Sequence, residues 1–165
     1  MSDSLTAVLV GCGGISRAWL KTITQIEGLD LAAAVDLDVS AAQERVDEYD
    51  LTATAVSTDL EDVLERFTPD IVFDCTVPGA HYPVTLAALQ HGCHILGEKP
   101  LADSIDHARA MVAAAEEADR IFAVMQNRRY DANIRRLKAF LESGMLGRLT
   151  TVNCDFYIGA HFGGF

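Results

Sequence analysis

Three groups of residues in this 165-residue chain have types and spacings that could do chemistry. The first is Gly11-Cys12-Gly13-Gly14-Ile15-Ser16. Glycines at this spacing permit a tight turn at Gly11 and close approach of an anion to the backbone at Gly13, and a helix opening behind them would offer free N–H groups and a positive dipole end. That is the chemistry of a pyrophosphate cradle, in which Gly14 and Ile15 lie at the helix entry. Ser16 stands where Gly or Ala is usual for close helix–strand packing, and it is small enough to serve. The second is Asp36, about 20 residues beyond the glycines, at the distance where a carboxylate accepts hydrogen bonds from both hydroxyls of an adenosine ribose. A carboxylate there repels a 2'-phosphate and no Arg follows at once, which favours NAD over NADP; the alternative is that Asp36 or Asp38 simply begins the next helix. The third is Glu98-Lys99-Pro100, a cation beside a carboxylate at the end of an apolar run.

These groups need elements to position them. Thr6–Val10 is a β-rich run ending in Gly11, and Ile15, Ala18, Trp19, Ile23 and Ile26 follow at helical spacing up to Gly28 as C-cap. Leu31–Val35 predicts a second strand, Ser40 and Gln43 a capping box opening a helix to about Tyr49, and Thr52–Ser57 a third strand. Leu60, Val63, Leu64 and Phe67 mark a further helical face. Ile71–Cys75 reads as a strand buried on both faces, followed by a helix from Pro83 to Gln90, a strand at Cys93–Leu96, a helix capped by Ser104 and a strand at Ile121–Met125. Alternation of this kind predicts right-handed βαβ units, hence an α/β, Rossmann-type doubly wound parallel sheet with helices on both faces. Ligands of such sheets bind outside the carboxyl ends of the strands, which is where Lys99 falls; otherwise it is a surface lysine paired with Glu98.

The pattern changes after Met125. Ile134, Leu137, Phe140 and Leu141 predict an amphipathic helix ending at Gly144, and Leu149–Ile158 alternates with period 2, as a half-exposed antiparallel strand does. The expected organisation is a dinucleotide-binding domain over residues 1–126 and, over 127–165, the first helix and strand of an incomplete C-terminal α/β domain.

Taken together, the glycine turn, Asp36-Leu37-Asp38, the stretch from Asp70 to His81, Gly97-Glu98-Lys99-Pro100-Leu101-Ala102, Asn127-Arg128-Arg129-Tyr130-Asp131 and Gly144-Met145-Leu146-Gly147 make the chain resemble the glucose-fructose oxidoreductase, inositol dehydrogenase and rhizopine-catabolism (Gfo/Idh/MocA) superfamily over nearly its whole length. The resemblance implies that Lys99 lies near a nicotinamide and helps bind and polarise a substrate hydroxyl, with Glu98 beside it. The chemistry agrees, because hydride leaves a carbinol carbon only as the hydroxyl proton is lost, and a cation or base at the developing alkoxide lowers that barrier. It also implies that Thr76, Pro78 and His81 line the dinucleotide. Two roles are open to His81, opening the following helix or lying near the cofactor. Arg129 likewise either meets substrate and the nicotinamide ribose or forms an interdomain salt bridge. Relatives of this kind continue into a domain carrying further catalytic groups, and no residue from Leu149 to Phe165, His161 included, maps onto them. The chain alone is therefore expected to bind NAD without oxidising its small hydroxylated substrate, a sugar or polyol, and to associate into a homo-oligomer.

Composition narrows the field. A net charge of -11 opposes nucleic acid, whose phosphates are bound by clustered Lys and Arg, and opposes an anionic membrane surface. No signal-peptide pattern opens the chain, so a cytoplasmic protein is expected. Cys12, Cys75, Cys93 and Cys154 form no CxxC pair, which predicts buried free thiols and no metal site. Two other classes compete: a noncatalytic nucleotide-binding module, and a methyltransferase, against which Glu98-Lys99-Pro100 and the six-strand βα alternation count.

Overall fold

The computed structural model describes residues 4–155 and 157. The chain divides into two compact units, Met1–Gln126 and Asn127–Phe165. The first alternates strand and helix: β1 (Leu5–Val10), α1 (Ser16–Ile23), β2 (Leu29–Val35), α2 (Val39–Glu48), β3 (Ala55–Ser57), α3 (Leu60–Phe67), β4 (Ile71–Asp74), α4 (Pro78–Gln90), β5 (His94–Gly97), α5 (Ile105–Glu117) and β6 (Phe122–Val124). All neighbouring strands are parallel, in the order β3-β2-β1-β4-β5-β6. This is the doubly wound Rossmann arrangement, whose strand order reverses between β1 and β4.

Burial on both faces explains the continuous apolar strands. Along β1, Ala7 and Leu9 pack with Trp19, Leu20 and Ile23 of α1 and Val46 of α2, while Val8 and Val10 pack on the opposite face with Val63, Leu64 and Leu89. A strand's period of 2 makes these two sets, and each needs its own layer of helices.

Several boundaries differ from the sequence reading for identifiable reasons. Helix α4 begins at Pro78, five residues before Pro83, because Pro78 takes the first helical position where a missing N–H costs nothing. Pro83 is then carried inside the helix. Asp38, not Ser40, caps α2: its carboxylate accepts the Ser40 N–H at 2.9 Å, and Gln43 instead donates to Asp47. Ser104 caps α5 as expected, accepting the His107 N–H at 3.2 Å. Helix α1 ends at Ile23, short of Ile26, and Gly28 takes a left-handed φ of 77° in the turn that follows.

The second unit holds a 3-10 turn, Asn127–Tyr130, and α6 (Ala132–Glu142), capped by Asp131 through the N–H groups of Asn133 and Ile134. Among the described residues of the segment Leu149–Ile158 the expected strand is absent: residues 149–155 and 157 carry no ladder pairing, and the rest of the segment lies outside the described residues, as does His161. A strand exists only against a partner, and none is provided among the described residues.

Three of the four thiols are buried, as expected, whereas Cys154 is exposed. Desolvation raises Cys12 to about 12, with Asp36 adding to the effect, and raises Cys93 to about 11; Cys75 is pushed up by the same cause. An unfolded thiol ionises near pH 8.5, so above that pH the unfolded state sheds protons that the native state keeps. Stability is therefore full below about pH 8.5 and falls as pH rises towards the native values. Denaturant titrations from pH 8 to 10.5 should show this fall, and Cys93→Ala should fall less steeply than wild type; parallel slopes would contradict it.

Candidate functional site

The site is built at the carboxyl ends of β1 and β4, where the strand order reverses. The Gly11 N–H donates to the Val35 carbonyl of β2 at 2.8 Å, and the Cys75 N–H donates to the Val10 carbonyl at 2.7 Å, which ties the ends of β4 and β1 together. Gly11 has φ +88°, and a Cβ there would lie 2.7 Å from both the Cys75 carbonyl carbon and the Thr76 nitrogen. Only glycine fits. Gly13 and Gly14 are different, since a Cβ on either would meet nothing within 4 Å.

The N–H groups of Gly13, Gly14 and Ile15 have no acceptor among the described residues. Ser16 turns its hydroxyl and N–H back onto the Gly13 carbonyl, and no side chain caps α1. Helix α4 is also uncapped by a side chain, whereas α2, α3, α5 and α6 are capped by Asp38, Asp59, Ser104 and Asp131. The two helices that start beside the reversal point thus carry no side-chain cap, and each brings the positive end of its dipole there.

Asp36 stands at the end of β2. Its Oδ2 accepts the Cys12 N–H at 2.7 Å and its Oδ1 accepts the Asp38 N–H at 2.9 Å, so the carboxylate ties the glycine turn to the start of α2. Each carboxylate oxygen accepts about two hydrogen bonds, which leaves acceptor capacity for a ligand. Beside it runs a largely apolar cleft of about 420 Å3, lined by Gly11, Gly13, Asp36, Leu37, Thr58, Thr76, Val77 and Ala80, among others. Leu37, Thr58, Val77 and Ala80 escaped the sequence reading. Leu37 and Val77 are apolar yet 95% and 69% exposed, which only the fold reveals.

Thr76, Pro78 and His81 come together at the end of β4, with different surroundings. Asp74 is buried, and its Oδ1 accepts both the N–H and the hydroxyl of Thr76, while Oδ2 lies 2.8 Å from Nδ1 of His81. His81 itself is 2% exposed in the first turns of α4, and its Nε2 has no partner among the described residues. Its Nδ1 also lies 3.2 Å from the Thr76 hydroxyl. Pro78 opens α4 directly after the exposed Val77.

At the end of β5 the Lys99–Pro100 peptide is cis and the Lys99 side chain is exposed. Glu98, expected at the cofactor, is turned into the protein, where it accepts the indole N–H of Trp19 and the backbone N–H of Lys99. Arg129 lies in the 3-10 turn of the second unit, exposed.

A parallel sheet in this order, with unpaired N–H groups at the first βα turn and a carboxylate closing the second strand, defines a dinucleotide-binding fold. The chain belongs to the GFO_IDH_MocA oxidoreductase family, whose NAD-binding Rossmann-fold model matches residues 5–126. It is 32% identical over 141 residues to inositol 2-dehydrogenase/D-chiro-inositol 3-dehydrogenase of Lacticaseibacillus casei, a match covering 84% of this chain and 40% of that protein. Among solved structures it is similar to the WlbA dehydrogenase from Bordetella pertussis in complex with NADH and UDP-GlcNAcA, with a TM-score of 0.82 at 28% identity over 90% of this chain and 42% of that one. An oxidoreductase from Agrobacterium radiobacter in complex with NAD+, L-tartaric acid and magnesium gives 0.80 at 28% identity, over 88% and 42%. The chain thus spans about two fifths of the length of these relatives. No helix among the described residues is long and apolar enough to cross a membrane.

The two kinds of glycine predict opposite outcomes. Gly11→Ala should cost at least about 1 kcal/mol of stability, because the left-handed φ and the backbone contact both forbid a Cβ. Gly13→Ala should stay within about 0.5 kcal/mol of wild type, as an unstrained exposed change does, yet bind NAD at least tenfold more weakly. Denaturant titration and calorimetry read the two effects, and matching losses of stability would show that Gly13 serves the fold alone.

Proposed function

We infer that this chain is the NAD-binding part of a dehydrogenase that oxidises a secondary alcohol of a sugar, polyol or related hydroxylated compound. The observation that carries the reading is the row of N–H groups on Gly13, Gly14 and Ile15, unpaired among the described residues at a helix start with no side-chain cap. Three such donors fit a pyrophosphate, and the remaining groups fit the rest of a dinucleotide. Asp36 takes the adenosine ribose hydroxyls, which favours NAD over NADP. Leu37 and Val77 flank the adenine. Thr76, held by Asp74 and His81, and Pro78 line the path to the nicotinamide, and His81 acts through Thr76 rather than by touching the cofactor.

Bound NAD supplies the hydride acceptor. The chain's own contribution to the chemistry is Lys99, whose ammonium meets the substrate hydroxyl at the carboxyl end of β5 and stabilises the oxygen as its proton leaves. Arg129 belongs to the substrate side of the same reading. Holding an alcohol carbon at the nicotinamide accounts for roughly 7 to 11 kcal/mol of such a barrier, and that task falls to the part of the relatives that this chain does not span. The relatives named for inositol and for UDP-GlcNAcA support a hydroxylated substrate. Association into a homo-oligomer through the second unit is part of the same reading.

Two variants separate binding from chemistry. Asp36→Ala should weaken NAD by about 1 to 3 kcal/mol, the scale for hydrogen bonds to a charged group, and NADP much less. With the missing portion of a relative supplied in cis or in trans, Lys99→Ala should remove most turnover on a polyol panel while leaving the Kd for NAD within about twofold. Equal losses for the two cofactors would take Asp36 away from the ribose, and unchanged turnover would take Lys99 away from the reaction.

A further inference from the structure

Glu98 and Lys99 are neighbours of opposite charge at the end of β5, where a surface ion pair would be ordinary. The structure keeps them apart. Glu98 is 9% exposed, and its Oε1 accepts the Nε1–H of Trp19 at 2.8 Å while its Oε2 accepts the backbone N–H of Lys99 at 3.1 Å. Trp19, the sole tryptophan of the chain, reaches across from α1 with its ring against Phe73 at 5.8 Å between centroids, and is itself 8% exposed. The Lys99 side chain is exposed, and its ammonium pairs with no carboxylate among the described residues. A carboxylate leaves water only if donors replace the water it loses. The indole N–H is a donor with no acceptor role of its own, so it can hold Glu98 without competing for Lys99.

We propose that Trp19 is a positioning residue for Lys99: by holding the Glu98 carboxylate inward, against the Lys99 backbone N–H, it leaves the Lys99 ammonium unpaired for a ligand at the carboxyl end of β5. Trp19 and Phe73 seat the indole, the indole seats the carboxylate, and the carboxylate tethers the peptide from which the lysine side chain departs. The ligand's identity as an alcohol oxygen rests on the function proposed above, but the lysine's pairing does not, and it can be measured without turnover.

The chain has three lysines, Lys21, Lys99 and Lys138. Competitive labelling with trinitrobenzenesulfonate, read by peptide mass spectrometry on the folded chain, therefore follows Lys99 beside two internal controls. Trp19→Phe keeps an aromatic ring against Phe73 and removes the donor. The released carboxylate then pairs with the ammonium, and Lys99 labelling slows about two- to fivefold, the range for an exposed ion pair, with Lys21 and Lys138 unchanged. The double substitution Trp19→Phe with Glu98→Gln restores the wild-type rate, since no carboxylate remains to pair. Unchanged labelling in Trp19→Phe, or a fall that Glu98→Gln does not reverse, overturns the proposal. If Trp19→Phe does not fold, Glu98→Gln decides alone: removing an inward carboxylate leaves the Lys99 rate within about twofold of wild type, and a larger rise means that Glu98 already pairs with the ammonium and overturns the proposal. A negative labelling result leaves the role of Lys99 in turnover standing, and a failure of turnover leaves the Trp19–Glu98 tether standing.

Discussion

The close approach of the Gly11 backbone to the Cys75–Thr76 peptide sets the geometry on which the candidate site depends. Two parallel strands end side by side there, and the chain leaving each must turn into a helix without filling the crevice between them. Gly11 makes this possible twice over, by lacking the Cβ that would strike the neighbouring peptide and by adopting a left-handed φ. With that turn in place, the Gly13, Gly14 and Ile15 N–H groups ahead of α1 stay unpaired among the described residues beside the reversal point of the sheet, where anions are bound by geometry and partial charge together.

The groups around this contact are held by hydrogen bonds that do not exhaust them. Asp36 accepts backbone N–H groups from the glycine turn and from the start of α2, so it is oriented before any ligand arrives. Asp74 does the same for Thr76, with His81 on its other oxygen. Both carboxylates lock loops that a binding site needs rigid, because every torsion left loose must be frozen again on binding. Glu98 is a third instance, turned inward onto Trp19 and the Lys99 peptide. Carboxylates at three strand ends thus serve as internal acceptors first, and Asp38 and Asp59, which cap α2 and α3, show the same habit.

Much of this was legible in the sequence because its causes are local. The strand, glycine turn and helix from Thr6 to Ile23 announce themselves through adjacent residues, as do the Ser104 cap and the apolar run at Ile71. Other features depend on what the chain meets in three dimensions. Pro83 looked like a helix start since proline favours first turns, but Pro78 meets the same preference earlier. Nothing local told that Glu98 would find an indole 79 residues away. Leu37 and Val77 read as unremarkable until the fold set them at the rim of one cleft. The alternation from Leu149 to Ile158 predicted a strand that the described residues do not form, because a strand needs a ladder partner, which no periodicity can supply.

The central claim is that the free N–H groups of the first βα turn hold the pyrophosphate of NAD. Backbone amide spectra of 15N-labelled chain, recorded during titration with NAD, test it most directly. The account predicts the largest shifts at Gly13, Gly14 and Ile15, with smaller ones at Leu37 and Val77 along the cleft. Saturation by NAD with those three amides unmoved would contradict it.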